Sequence, residues 1–307
     1  MMKGLISKIL TINLFIVFIL VNSSCNLNNQ ANSSSKIRMG YLLNITHAVP
    51  MVLLEESSFK DRIESYHFSA GGYLLNNLLT KNLDLAFIGP GPYLTAIDKG
   101  FKLKLLGAYA YGANVFVISK DVLNQSKDQI KDLKIAIPQF GNTQDLLAKL
   151  YLKDLAQDFY AISPAELEFA FHNKSIDATL VTEPWGSMLL NKGYVDGAKI
   201  FPNKLKQINQ YPTTLLVVRE DYYEANKELV DEFTKESLIV LRKFSVSKNH
   251  KSLAPLIQKH FKDKVKKDIP LESIEANLKT IVFDENNNLD FFLKQLEQAA
   301  YKAHYLK

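Results

Sequence analysis

A short apolar strand running into a turn of Gly, Pro, Asn or Thr and then into a helix start recurs along the chain, and this theme constrains the fold most. The cases are Ile37–Leu43 before Asn44–Pro50, Leu83–Ile88 before Gly89–Pro92, Leu133–Ile137 before Pro138–Gln144, and Ile176–Val181 before Thr182–Trp185. Apolar runs of this length bounded by turn residues read as buried strands, and strands alternating with helices predict an α/β sheet. The copies share no residue pattern of the solenoid kind. With 307 residues, 47% hydrophobic and 22% charged, the chain is long enough for two lobes with separate cores.

Two further strands, Val115–Ser119 and Thr214–Val218, each run into a charged segment, Lys120–Asp121 and Arg219–Glu220–Asp221. This pattern predicts that the chain leaves one lobe near residue 120 and returns near 213, so both places are expected hinges. The first lobe then comprises 36–120 and 213–307, with the C-terminal helices, and the second 121–212. After Asp221 the pattern turns helical: Tyr222–Phe244, Ser252–Phe261, Leu271–Val282 and Leu289–His304 carry apolar residues at three- and four-residue spacing. Pro270 fits a helix start.

The N-terminus carries Lys3 and Lys8, an apolar stretch Ile9–Val21, and small and polar residues up to Cys25, the sole cysteine. Residues 1–24 therefore read as a secretory signal; the apolar run falls short of the roughly 20 residues that span a bilayer. The junction resembles a bacterial lipobox in which Cys25 is lipidated, with Asn22 where an aliphatic residue is usual; plain signal cleavage leaving a free thiol is the alternative. Residues 26–35 form a polar tether. The protein is thus expected to be exported and anchored to the membrane through lipid, and a single cysteine excludes an intrachain disulfide.

The formal charge of +5 is spread thinly, and the Lys-rich stretch Lys262–Lys267 is interrupted by Asp263 and Val265. No basic face with interleaved aromatics emerges, which argues against nucleic-acid binding; the lysines read as a solvated helix face. The sequence holds no Walker A, HExxH, GxSxG or CxxC pattern. No catalytic residue, metal or cofactor is expected.

In an open α/β sheet, ligands bind beyond the carboxyl ends of the strands, where helix N-termini offer unpaired N–H groups and a positive dipole end. The turns Asn44–Val49, Gly89–Tyr93, Gly112–Asn114, Gly141–Asp145 and Thr182–Trp185 contain no Lys or Arg, so an anion there must be held by neutral donors. Asn142 or Thr143 reads as an N-cap, Gly89 and Pro90 as a rigid turn, His47 as a structural or ligand-touching residue, and Trp185 as core or pocket wall. Glu183 reads as a cap on its own helix or as a partner for an amine.

Together these motifs acquire a specific resemblance. Gly40–Tyr41 with Asn44–Ala48, Phe87–Pro90 with Pro92, Ile135–Pro138 leading to Gly141–Asp145, Glu183–Pro184–Trp185, and Thr213–Thr214 are similar in order and spacing to the aliphatic sulfonate, nitrate and taurine binding-protein family. The resemblance covers Ile37 to about Arg242. It implies a type II periplasmic-binding-protein fold, two lobes each with a mixed sheet flanked by helices, and a ligand cleft between them. It also implies a small-molecule ligand, delivery to an ABC permease and its ATPase, and a monomeric component of an importer, not an enzyme. The implied ligand-binding residues are Asn44, Thr46, His47, Gly89, Pro90, Gly112, Asn114, Asn142, Thr143, Gln144, Glu183, Trp185 and Thr213. The expected ligand is a small organic anion, an alkanesulfonate or taurine-like compound; nitrate, bicarbonate and thiamine-pyrimidine precursors are alternatives. The chain departs from the family at Tyr111–Asn114, where one Gly is missing, and between Leu152 and Ala165, which is short. Two rivals remain: a thiamine-pyrimidine-synthase-like enzyme, disfavoured by the export signal and the lack of cysteines, and a purely structural surface lipoprotein.

Overall fold

Most of the apolar runs named above become strands in the computed structural model, which describes residues 36–123, 130–285 and 288–306. In chain order these are β1 (Ile37–Leu42), β2 (Ile63–Phe68), β3 (Leu85–Ile88), β4 (Leu103–Gly112), β5 (Asn114–Ile118), β6 (Leu133–Ile137), β7 (Ala156–Ala161), β8 (Ala178–Thr182), β9 (Val195–Asp196), β10 (Pro212–Arg219) and β11 (Ile281–Val282). They form two mixed sheets, ordered β11-β4-β10-β3-β1-β2 and β7-β6-β8-β5-β9. In the first, β1 runs parallel to β2 and β3 while β10 runs antiparallel to β3 and β4. In the second, β6 is parallel to β7 and β8, and β5 is antiparallel to β8. Residues Ile37–Lys307 form one compact unit.

The central strands are buried on both faces because helices cover both, so their sequences read as continuous apolar runs instead of alternating ones. In the first lobe Met39, Tyr41, Leu85, Phe87 and Leu216 face a core shared with Phe233, Phe244 and Phe261, while Ala86, Ile88, Leu215 and Val217 face Leu74 and Leu78 on the other side. In the second lobe Phe116, Ile135, Ile137 and Leu180 pack on Leu146 and Leu147, with Val117, Ala136 and Val181 turned the opposite way.

Three expectations are corrected. The first crossing lies at Gly112–Ala113, not near residue 120, because β5 belongs to the second sheet. Both residues there have positive φ, 79° and 59°, so the left-handed turn between β4 and β5 redirects the chain. The charged segment after β5 marks only the end of a second-lobe strand. The C-terminal helix Leu289–Lys302 does not belong to the first lobe alone. Leu293 joins the first-lobe core, whereas Leu296, Ala300 and Leu306 join the second, so the chain crosses a third time. The expected helix Leu271–Val282 stops at Leu278, and its last residues become β11, paired to the end of β4. β10 begins at Pro212. The signal segment 1–24, Cys25 and the tether 26–35 lie outside the described residues. Among the described residues no helix is long and apolar enough to cross a membrane.

Candidate functional site

The carboxyl ends of β1, β2, β3, β6, β7 and β8 all open toward one cleft between the lobes, as the topology of parallel strands in facing sheets requires. At its base lies a cavity of about 50 Å³ lined by Leu42, Leu43, Asn44, Thr46, His47, Ser69, Ala70, Gly71, Gly89, Pro92, Pro138, Asn142, Thr143, Gln144, Pro164, Thr182, Trp185 and Thr213. None of the lining residues is Lys, Arg, Asp or Glu. The helices Gly71–Leu79, Pro90–Asp98 and Thr143–Tyr151 begin at this cavity; the first and third leave first-turn N–H groups without intrahelical partners, whereas in Pro90–Asp98 the two prolines carry no N–H and Gly91 N–H goes to Thr143 Oγ1.

The polar residues are held by one another. On the first lobe the Thr46 hydroxyl donates to Asn44 Oδ1 (2.7 Å), and Thr214 Oγ1 donates to the Thr46 carbonyl (3.0 Å). With its carbonyl oxygen engaged, Asn44 has its NH2 left to donate. On the second lobe Asn142 is the N-cap, its Oδ1 accepting from Asp145 N–H at 2.8 Å while the Asp145 carboxylate accepts from Gly141 N–H at 2.8 Å. This reciprocal arrangement satisfies two donors and stabilises the turn by about 1 kcal/mol. Thr143 Oγ1 accepts from Gly91 N–H of the first lobe at 3.3 Å, which leaves its own O–H as a donor. Gln144 Nε2 donates to Asn114 Oδ1 at 3.0 Å.

The lobes are closed on each other. Besides the Gly91–Thr143 contact, Gly72 N–H donates to Gln139 Oε1 at 2.9 Å and Ile45 N–H donates to the Glu183 carbonyl at 3.1 Å. The approach is close enough that a Cβ on Gly89 would meet Thr143 Oγ1 at 2.2 Å. Glycine is required here for room, since Gly89 itself has an ordinary extended backbone.

Of the residues singled out from the sequence, Asn44, Thr46, His47, Gly89, Asn142, Thr143, Gln144, Trp185 and Thr213 line the cavity. Pro90, Gly112, Asn114 and Glu183 do not. Pro90 opens its helix behind Gly89. Gly112 and Asn114 sit at the crossing, where the Asn209 amide clamps the two strands joining the lobes: its Oδ1 accepts from Asn114 N–H at 2.8 Å and its Nδ2 donates to the Asn114 carbonyl at 3.0 Å. Asn114 thus orients Gln144 and the hinge together. Glu183 accepts from Ser187 N–H (2.9 Å) and Ser187 Oγ (2.7 Å), so it caps its own helix; burial pushes its carboxyl above the usual range against those bonds.

His47 also has a different character from the one its residue type predicts. Its Nδ1 accepts from Leu42 N–H at 3.2 Å, and burial lowers its pKa to about 3. It is neutral through the whole range in which a free histidine titrates.

Sequence reasoning missed Ser69, Ala70 and Gly71. The turn follows β2, an edge strand buried only at Ile63 and exposed along most of its length, so no apolar run announced it. The run of small residues Ser69–Gly72 was the available signal. Among the described residues no cluster of three or more His, Cys, Asp or Glu is placed to hold a metal ion.

Known structures share this architecture. The ligand binding component of an ABC-type import system from Staphylococcus aureus, solved with zinc bound, is 19% identical, with a TM-score of 0.70 over 88% of this chain and 92% of that one. The periplasmic aliphatic sulphonate binding protein SsuA from Escherichia coli is 19% identical, with a TM-score of 0.64 over 89% and 94%. The periplasmic nitrate-binding protein NrtA from Synechocystis PCC 6803 is 15% identical, with a TM-score of 0.70 over 89% and 82%. At these identities the likeness is one of fold. No curated protein sequence matches the chain. The family model described as NMT1-like matches residues 30–258, well over half of the chain and all of the strand ends that build the cleft. The chain belongs to the NMT1-like family.

Proposed function

We propose that this protein is the exported substrate-binding component of an ABC importer and that it binds a small organic anion, an alkanesulfonate in preference to a taurine-like compound. The observation that carries the reading is the cavity at the strand ends of both lobes, walled by neutral donors and helix N-termini with no charged side chain. Such a site favours an anion without a salt bridge. Its 50 Å³ is far below the roughly 300–1,000 Å³ of a pocket for a drug-sized ligand, so it suits a nitrate or a sulfonate head group and not a whole larger ligand. Nitrate is therefore the second reading. A taurine ammonium is disfavoured because Glu183 is engaged by Ser187. Closure of the lobes about the ligand is the state a permease would read.

Affinity should then respond weakly to salt and pH. A site between two closed lobes is screened less than a surface one, so titration calorimetry with ethanesulfonate, taurine, nitrate and bicarbonate should show a change of less than about threefold between low and high salt. A cationic His47 would make affinity fall as pH rises through the histidine range. With His47 neutral, affinity for a sulfonate should be flat from pH 8 down to 5. A steep salt dependence, or a fall with rising pH, would overturn the neutral-donor reading.

The anchor belongs to the same proposal. Labelled palmitate should enter the wild-type chain in its host and be lost in Cys25→Ala; equal labelling of the two would sink lipidation.

A further inference from the structure

Outside the inner cavity, and adjoining it through Leu43, Ser69, Pro164 and Trp185, lies a larger chamber of about 450 Å³ that also reaches His67, Phe68, Ser163, Ala165 and Lys267. Its composition differs from that of the inner site. Leu43, Phe68, Pro164, Ala165 and Trp185 make an apolar wall, whereas Lys267 and His67 bring basic groups to it, and no Asp or Glu lines it.

Lys267 is held at this chamber by its backbone. The helix His250–Val265 ends in a left-handed Lys266 (φ 55°), and the next residue, Lys267, donates its N–H back to the Phe261 carbonyl. Gln258 Nε2 ties the following stretch at the Ile269 carbonyl, 2.7 Å away. The neighbouring Asp268 turns to Lys262, and among the described residues Lys267 has no ion-pair partner. The positive potential extends beyond it, for Lys264 acts on His67 and, after burial, helps to lower the pKa of that ring. The shift favours the uncharged, hydrogen-bonding form of His67, on the same chamber that Lys267 lines.

We propose that the outer chamber is a second subsite for the far end of the ligand, and that this ligand is a dianion: an oxyanion head in the inner cavity, a short apolar spacer along Trp185 and Leu43, and a distal carboxylate met by Lys267. The proposal rests on the anion reading of the inner cavity and adds the substrate class to it. An apolar channel ending at an unpaired cation suits a spacer ending in an acid, and a plain alkyl tail would leave that ammonium without an anionic partner. The stretch Lys262–Lys267, legible in the sequence only as a solvated helix face, acquires a task at its last residue.

Titration calorimetry on the full-length chain in detergent decides it, with ω-carboxyalkanesulfonates of two to five methylenes set against alkanesulfonates of the same lengths. The carboxylated series is expected to bind about three- to tenfold more tightly at its best length, the range for one charge-assisted contact at a partly open site. Lys267→Gln should erase that preference and leave the affinity for plain alkanesulfonates unchanged, and Lys267→Arg should restore most of it. Plain sulfonates binding as tightly as their carboxylated partners would overturn the dianion proposal while sparing the head-group reading. A preference that survives Lys267→Gln would overturn the role of Lys267, and with it the proposal. No binding by either series would overturn both.

Discussion

Replacing Gly91 by Ala is expected to leave the protein folded and to weaken anion binding about a hundredfold, close to 2.7 kcal/mol. In the closed protein a Cβ on Gly91 would lie 2.7 Å from the carbonyl carbon and oxygen of Asn142 and 2.8 Å from Thr143 N. These are backbone atoms of the opposite lobe, so no rotamer change relieves the clash. The lobes must part, and the contacts that depend on closure are lost with them: Thr143 to Gly91, Gln139 to Gly72, and the Glu183 carbonyl to Ile45. Inside its own helix, Pro90–Asp98, Ala is preferred to Gly by up to about 1 kcal/mol. The signature is therefore a melting temperature unchanged or raised beside a large loss of affinity, which a merely destabilised variant does not give. Gly107→Ala, whose Cβ would make only an ordinary 3.6 Å contact with Tyr109, is the control. If calorimetry with an anion bound by the wild type finds Gly91→Ala within about threefold of wild type, the closed geometry is not the binding geometry.

This expectation depends on a pair of turns that the sequence showed well. β1, β3, β6 and β8 are covered on both faces, so burial wrote continuous apolar runs into them, and the turns beyond them stood out. Asn142 capping Asp145 is one of the two caps, with Thr143, that residue types and spacing allowed. The β2 turn did not stand out, because an edge strand needs few apolar residues. The crossing was misplaced for a different reason: a left-handed pair at Gly112–Ala113 carries only one glycine as its local sign, and Ala113 holds positive φ (59°) because tertiary packing and pairing outweigh a cost of about 1–2 kcal/mol.

Contacts between segments far apart in sequence were beyond reach. Asn209 stands in a polar linker where any amide would look the same, and only the fold brings it to Asn114, 95 residues away. The C-terminal helix shows apolar spacing at Leu293, Leu296 and Ala300, which states that one face is buried but not against which lobe. Tyr305 beyond it donates to the Asn142 carbonyl at 3.2 Å, and Tyr301 donates to Asp98 of the first lobe at 2.9 Å. The last two turns of the chain thus tie the site's main N-cap to the opposite lobe, a link between closure and the C-terminus that no local pattern encodes.

The far end of the first sheet carries the largest expected effect on stability. Asp84, 2% exposed, accepts from Arg38 N–H at 2.9 Å, from Arg38 Nε at 3.1 Å and from Arg38 Nη2 at 2.6 Å, and lies 3.6 Å from Arg219 Nη1. Arg219 Nη1 also donates to the Leu83 carbonyl. One carboxylate therefore joins the start of β1, the entry to β3 and the end of β10, and the bond to Asp84 holds the Arg38 guanidinium above its ordinary pKa. Asp84→Ala removes the only carboxylate that Arg38 meets among the described residues, while Arg219, whose side chain is 10% exposed, keeps Asp221 Oδ1 at 3.0 Å from its Nε. Removing one partner of a buried pair costs about 3–5 kcal/mol, and since Arg38 is 36% exposed and keeps water, and Arg219 keeps Asp221, the lower end applies. For a protein of this size that is a fall in melting temperature of about 6–12 °C. Anion affinity measured well below the transition should stay at the wild-type value, because the network lies at the opposite ends of the strands from the cleft. The double variant Asp84→Ala, Arg38→Met should recover part of the loss by removing the guanidinium left without its carboxylate. A drop of less than about 2 °C in the single variant, or a double variant less stable than the single one, would show that this cluster is a surface ion pair and not a buried clamp.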